Sequence, residues 1–171
     1  MIEIREEQPE DVAAIRAVNE EAFGQPAEAG IVDKLRGACD GLLSFVAVED
    51  GTVVGHVLFS PVTIDGHPSL AGGMGLAPMA VLPGCQRRGI GSRLVRAGLA
   101  ELRSRSCPFV IVLGHPEYYP RFGFEPASRH GLRSQWDGVP DEAFMVLVFD
   151  ESALKNVSGV ARYRTEFDEA M

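Results

Sequence analysis

Thiols and long apolar runs are both scarce in this 171-residue chain. Its three cysteines, Cys39, Cys85 and Cys107, are odd in number and share no metal-ligand spacing. A disulfide framework and a zinc site are therefore not expected, nor is any other metal. The cysteines read as reduced thiols of a cytoplasmic protein. No apolar stretch approaches the length needed to span a bilayer, so no membrane partner is expected. The opening segment, Met1-Ile2-Glu3-Ile4-Arg5-Glu6-Glu7, is charged and alternating, unlike a secretory signal. Internal repeats, low-complexity tracts and convincing linkers are missing, which points to one domain. Positive charge is in deficit overall: the net charge of −8 argues against a general nucleic-acid binder. No Cys or Ser stands in a nucleophile arrangement, so a covalent enzyme intermediate has no support.

What is present suits a folded domain with one substantial core. Hydrophobic content of 46% against 23% charged residues lies far from the composition of a disordered chain. Ile2 and Ile4 alternate with charges, as in a half-buried first strand. Pro9-Glu10-Asp11 opens a helix whose apolar positions Val12, Ile15, Val18 and Ala22 share one face. A second, weaker helix is expected from about Pro26 to Arg36, with Ile31 and Leu35 inward. Leu43–Val48 and Thr52–Phe59 form a hairpin around the Asp50-Gly51 turn. Asp65-Gly66 marks the next reversal, and the following strand ends near Val81. A helix from about Gln86 to Ser104 places Ile90, Leu94, Val95 and Leu102 inward, with Gly98 suggesting close packing on a sheet. Phe109–Leu113 reads as a strand buried on both faces, and Ala143–Phe149 as the last strand of the domain. Residues 1–150 thus form the main domain. Residues 151–171 read as an extension packed on or appended to it, able to add an edge strand or an oligomer contact. The order of elements predicts a mixed α/β sheet.

The most informative stretch is Gln86-Arg87-Arg88-Gly89-Ile90-Gly91, between the apolar run Leu76–Val81 and the helix. A strand, a glycine-bearing loop and a helix start in that order make an anion cradle. Loop and first-turn amides lack intrahelical partners, and the positive end of the helix dipole points the same way. Gly89 and Gly91 remove side chains that would keep a ligand off the backbone. From Cys85 to Arg105 there are six arginines (Arg87, Arg88, Arg93, Arg96, Arg103 and Arg105) and one acid, Glu101. An acidic protein thus carries a local basic patch suited to a polyphosphate. Arg87, Arg88 and Arg93 lie nearest the loop, whereas Arg96 and Arg103 fit a solvated outer face. Gly84 and Gly89 have the spacing of a nucleoside-triphosphate loop, but Ile90-Gly91 replace its lysine and hydroxyl residue. Gly89-Ile90-Gly91 lacks the third glycine of a dinucleotide fingerprint.

Gln86 to Gly91 fits Q/R-x-x-G-x-G/A, the signature that opens the central helix of GNAT N-acetyltransferases. A second block follows in the family's order and spacing. It comprises the strand Val110-Ile111-Val112-Leu113, then Gly114-His115-Pro116-Glu117-Tyr118-Tyr119-Pro120-Arg121-Phe122-Gly123-Phe124. The chain therefore resembles the GNAT superfamily over Met1 to about Asp150. Its Tyr-Tyr-Pro-Arg-Phe-Gly-Phe run is similar to a bacterial subgroup of predicted acetyltransferases. The resemblance implies a mixed sheet of about six to seven strands with about four flanking helices. It also implies that the strand before the central helix splays from its parallel neighbour. Pro78 inside that strand fits an opened ladder, and fits a simple bulge almost as well.

By that resemblance the chain binds acetyl-CoA as cosubstrate and moves its acetyl group to a primary amine, of a small molecule or a peptide, in a ternary complex. Met79, Ala80 and Val81 would present backbone to pantetheine. The amides of Gln86, Arg87, Arg88, Gly89, Ile90, Gly91 and Ser92 would hold the pyrophosphate. Tyr119, four residues before Gly123, matches the family's general acid, contacts the cofactor in that role, and as a phenol stays protonated at neutral pH. Tyr118 beside it could exchange roles with it. The base is the departure: between Ala71 and Val81 there is no carboxylate and no histidine. Candidates are His115 at the end of the Phe109–Leu113 strand, Glu117 just beyond it, and His56 on the third strand. Trp136 could line an acceptor pocket or cap the sheet. The rival reading is a non-enzymatic acyl-CoA binder that kept the cradle and lost the base. A homodimer is an assembly that the resemblance allows.

Overall fold

Asp50 and Gly51 both adopt positive φ, 51° and 81°, the backbone that a two-residue hairpin turn requires. They join the strands that the alternation predicts. The computed structural model describes residues 1–170. Among these, the strands and α-helices in chain order are β1 (Ile2–Glu6), α1 (Val12–Phe23), α2 (Ala27–Ala38), β2 (Leu43–Glu49), β3 (Thr52–Pro61), β4 (Thr63–Ile64) and β5 (Met74–Val81). There follow α3 (Ile90–Ser104), β6 (Phe109–Leu113), β7 (Glu125–Pro126), β8 (Leu132–Ser134), β9 (Phe144–Val148) and β10 (Gly159–Arg162). A 3-10 turn at Tyr119–Phe122 takes the place of a longer fourth helix. In hydrogen-bonding order the larger sheet runs β1-β2-β3-β5-β6-β9-β7 and the smaller β4-β10-β8. The pair β5–β6 is parallel, while β1–β2, β2–β3 and β6–β9 are antiparallel, so the larger sheet is mixed.

The chain divides into two compact units. One holds Met1–Phe59, Ala77–Glu101 and the residues from Thr165 on; the other holds Ser60–Leu76 and Leu102–Arg164. In the first, α1 follows a turn opened by Pro9 and ends at Gly24, whose φ of 69° lets its N–H reach Glu20 O. Ile15 and Val18 of α1 and Ala29, Ile31, Val32 and Leu35 of α2 are buried, the inward faces expected. Each large aliphatic residue so buried contributes roughly 1.5–3 kcal/mol. Gly98 of α3 lies against β3: a Cβ there would fall 2.2 Å from the Phe59 ring. The close packing inferred from the sequence is therefore real.

A polar chain crosses the core of this first unit. Arg36 Nη2 donates to Glu7 Oε1 at 2.8 Å, and the Ser44 hydroxyl donates its only proton to the same oxygen at 2.7 Å. Ser44 Oγ can then only accept from His56 Nε2, 3.0 Å away. That leaves His56 Nδ1 as the acceptor for Asn19 Nδ2 at 3.1 Å; the second amide proton goes to Ile15 O. Proton counting thus assigns a neutral His56 with its hydrogen on Nε2. The ring is fully buried, and desolvation, reinforced by the Arg36 charge, pushes its pKa down to about 3. Losing one partner of such a chain would leave a buried polar group unmatched, at about 1–3 kcal/mol.

In the second unit, the tail yields a strand with neighbours on both sides. An edge strand was one of the two roles the tail allowed; β10 instead lies between β4 and β8, pairing Ala161 with Ile64 and with Ser134. The physical reason is Tyr163, which follows β10 and is buried with Leu154 and Ala161. Its hydroxyl donates to Leu76 O (3.1 Å) and Ile111 O (3.3 Å), and its N–H donates to Gln135 Oε1 (2.7 Å). Trp136 stacks on the Tyr163 ring at 5.6 Å. A packing role for this tryptophan is thereby established.

His56 gives the core a pH dependence of defined sign. The unfolded chain takes up this proton near the ordinary value of 6.5, the folded chain only near 3. Between those limits the unfolded state binds the extra proton, so stability falls as pH falls. The slope is up to about 1.4 kcal/mol per pH unit, and the contribution is fully present above the unfolded value. Urea unfolding at pH 4.5, 5.5 and 6.5 should show a flatter pH profile for His56→Gln than for the wild type. Parallel profiles would refute the assignment.

Candidate active site

The segment after β5 forms the loop that the sequence singles out, with one correction. α3 starts at Ile90, whereas the apolar spacing suggested a start near Gln86. The cause is local: Arg87 and Gly89 have φ of 64° and 78°, left-handed values that cannot belong to a right-handed helix. Pro83–Cys85 form a 3-10 turn, with Cys85 N–H donating to Leu82 O at 2.8 Å. Gln86 bends back so that its Nε2 donates to Val81 O at 3.1 Å, fastening the loop to the strand. The first helical rung runs from Arg93 N–H to Gly89 O at 3.1 Å. Ile90 and Gly91 amides therefore precede the helix's own ladder, at the positive end of its dipole. A Cβ on Gly89 would meet nothing within 4 Å, and Gln86, Arg87, Arg88 and Gly89 are all exposed. An open, exposed loop ahead of a helix start, beside exposed guanidinium groups, fits a phosphate ester.

The arginines near the loop differ in what holds them. Arg88 makes a two-pronged ion pair with Glu49 of β2, Nη1–Oε1 at 3.1 Å and Nη2–Oε2 at 2.5 Å. The guanidinium keeps the Glu49 carboxyl below its ordinary range. Arg93, grouped with the loop from its sequence position, instead donates to Ile2 O at 3.1 Å and ties α3 to β1. On β5, Met79 is half-buried while Ala80 and Val81 are buried; the Leu82 N–H just beyond donates to Val54 O at 2.9 Å. The ladder between β5 and β6 spans Met74↔Val110 to Leu76↔Val112. Beyond it stands Pro78, which has no N–H to give.

Tyr119 and His115 lie in the second unit, on the turn that leaves β6. Tyr119 is buried, and its ring lies over Gly114, where a Cβ would fall 2.4 Å from Cε2. Phe124 meets it edge-on at 5.8 Å and Tyr118 at 5.1 Å. Desolvation raises the Tyr119 pKa, helped by the Tyr118 phenol nearby, so the group is held protonated. Tyr118 is fixed otherwise: Arg121 stands 4.3 Å over its ring and donates from Nε to its carbonyl at 2.8 Å. The exposed His115 accepts from the Tyr118 and Tyr119 amides through its carbonyl, which shapes the turn. Glu117 is exposed as well. His56, the third candidate base, has both ring nitrogens committed inside the core and holds no lone pair for an amine.

Three residues with a bearing on these sites escaped the sequence reading. Glu49 carried no motif, Gly114 was seen only as part of a block, and Tyr163 was left in the tail. Gly114 alone had a signal, a glycine ending an apolar strand ahead of two tyrosines.

Comparison with known proteins follows the same lines. The family model described as an acetyltransferase (GNAT) domain matches residues 3–127. The uncharacterised N-acetyltransferase YhbS of Escherichia coli K12 is 39% identical over 168 residues, covering 96% of this chain and 98% of YhbS. The crystal structure of Escherichia coli YhbS in complex with CoA superposes with a TM-score of 0.89 at 38% identity, covering 98% of this chain and 92% of that one. A GNAT acetyltransferase from Brucella melitensis in complex with acetyl-CoA gives 0.79 at 40% identity, covering 98% and 99%.

Because the Tyr119 ring occupies the space over Gly114, Gly114→Ala should cost about 1–3 kcal/mol of stability, as overpacking does. Chemical denaturation measures the loss. An unchanged midpoint would mean that the ring can move aside freely.

Proposed function

Because this chain belongs to the GNAT acetyltransferases and is an acetyl-CoA-dependent N-acetyltransferase, we propose that it passes the acetyl group directly to a primary amine within a ternary complex. The observation that carries the cofactor half is the loop from Gln86 to Gly89. Its left-handed Arg87 and Gly89 turn the chain into α3, whose Ile90 and Gly91 amides precede the helix's own ladder. In this reading the backbone from Gln86 to Ser92 holds the pyrophosphate, with Arg87 and Arg88 adding charge. Met79, Ala80 and Val81 offer main-chain groups to the pantetheine arm, and one N–H there polarises the thioester oxygen. CoA and acetyl-CoA in the two solved relatives support the choice of ligand.

The reaction forms one C–N bond, breaks one C–S bond, and moves one proton net from nitrogen to sulfur. Tyr119 supplies the hydrogen at sulfur. Burial keeps the phenol protonated before the step; it gives its proton to the departing thiolate, and the resulting phenolate, which burial disfavours, regains a proton from solvent after the thiol departs. His115, exposed on the same turn, takes the proton from the amine. Parallel pairing of β5 with β6 gives both strands one direction, and the two segments that carry these roles follow their carboxyl ends.

Release of free CoA thiol, followed across a panel of amines, tests the assignment. Tyr119→Phe should lower kcat by about a hundred-fold or more while CoA affinity stays unchanged. A kcat equal to wild type would remove Tyr119 from the chemistry. His115→Gln should lower kcat by about a hundred-fold with CoA affinity unchanged; a kcat equal to wild type would return that proton to solvent.

A further inference from the structure

The C-terminal segment reaches the strand pair that precedes the proposed cofactor edge. The Tyr163 hydroxyl shares its single proton between Leu76 O of β5 and Ile111 O of β6, at 3.1 and 3.3 Å. Leu76 is the residue at which β5–β6 pairing stops, in register with Val112. The hydroxyl therefore bridges the two strands at the end of their ladder, from Leu76 of the last pair to Ile111 of the pair before it. Leu113 N–H also bears on the phenol oxygen, against the burial that disfavours ionisation, and the Tyr119 phenol is close enough to raise the same pKa. Three further features show that this position is built for the ring. Gly75 makes room for it, since a Cβ there would fall 2.4 Å from Tyr163 Cε1. Trp136 stacks on it at 5.6 Å, and Gln135 Oε1 fixes its backbone N–H at 2.7 Å. A buried phenol with a glycine cut out beneath it and both strands' carbonyls at its tip is more than core filling.

We propose that Tyr163 is a positioning residue for acetyl transfer: by pinning β5 to β6 at Leu76, it sets the point from which β5 offers its backbone to the pantetheine arm. This rests on the reading of Met79, Ala80 and Val81 as that backbone edge. Tyr163 need not touch the substrate. It fixes the peptide from which Ala77, Pro78 and Met79 continue, so its loss blurs the placement of the groups that grip the arm and leaves the phosphate loop alone.

The two halves of the ligand can be tested apart by calorimetry. Adenosine 3′,5′-bisphosphate probes the Gln86–Ser92 loop, and CoA probes the loop and the arm together. Tyr163→Phe keeps the ring on Gly75 and under Trp136. It should leave bisphosphate affinity within about two-fold and weaken CoA by about five-fold or more, the scale of one hydrogen bond. Trp136→Leu, which loosens the ring without touching its hydroxyl, should give the same split in smaller measure and serves if the first variant does not fold. Equal weakening of both ligands, or no change in either, would overturn the proposal while sparing the cofactor reading. If wild-type protein binds CoA no tighter than the bisphosphate, the backbone edge itself is wrong, and the proposal falls with it.

Discussion

A parallel ladder only three residues long joins β5 to β6, the strands from which both proposed site segments depart. Met74 to Leu76 pair with Val110 to Val112, and from there β5 runs on to Val81 while β6 turns at Gly114. In the chain, the Gln86–Gly89 loop follows β5 and the tyrosine turn follows β6. Tyr163 binds both strands at the end of this ladder, at Leu76 O and Ile111 O. A segment more than eighty residues later in the chain thereby bears on the strand that leads into the loop.

Local chemistry explains which parts were readable beforehand. The hairpin was legible because Asp50-Gly51 supplies the two positive φ angles itself. The inward faces of α1 and α2 follow from spacing alone, and the apolar run Phe109–Leu113 is β6 to the residue. The start of α3 was misplaced by four residues because Arg87, which has no conformational licence that sequence reveals, adopts a left-handed backbone. Glycine advertises such a turn; arginine does not. Nor could β4, two residues long, have been recognised, since its pairing with β10 is set by residues about a hundred positions away.

The same distinction divides the candidate site residues. Gln86 through Gly91 and Tyr119 lie in contiguous motifs whose spacing is their message. Glu49 and Arg88 meet only because the β2–β3 hairpin brings them together, across 39 positions. The role of His56 depended on partners from α1 and β2. Each of its ring nitrogens is a plausible base when read in isolation, and neither is free once Ser44 and Asn19 are in place. A lone histidine in a strand carries no mark to separate these outcomes. Only the proton inventory of its neighbours does so.

That inventory bears on how the amine loses its proton. Between Ala71 and Val81 the chain has no group that titrates near neutrality, and the one histidine inside the core is locked neutral with its lone pair spent. Tyr119 and Tyr163 are both held in the protonated form by burial, which suits them to donate and disqualifies them as bases. In the proposed reaction, proton removal is therefore assigned to a group in contact with water, and His115 and Glu117 on the turn after β6 are exposed. Desolvation keeps the Tyr119 phenol loaded with its proton, while the same burial opposes the phenolate left after full transfer. An acceptor from an ammonium would lose its driving force in the same surroundings.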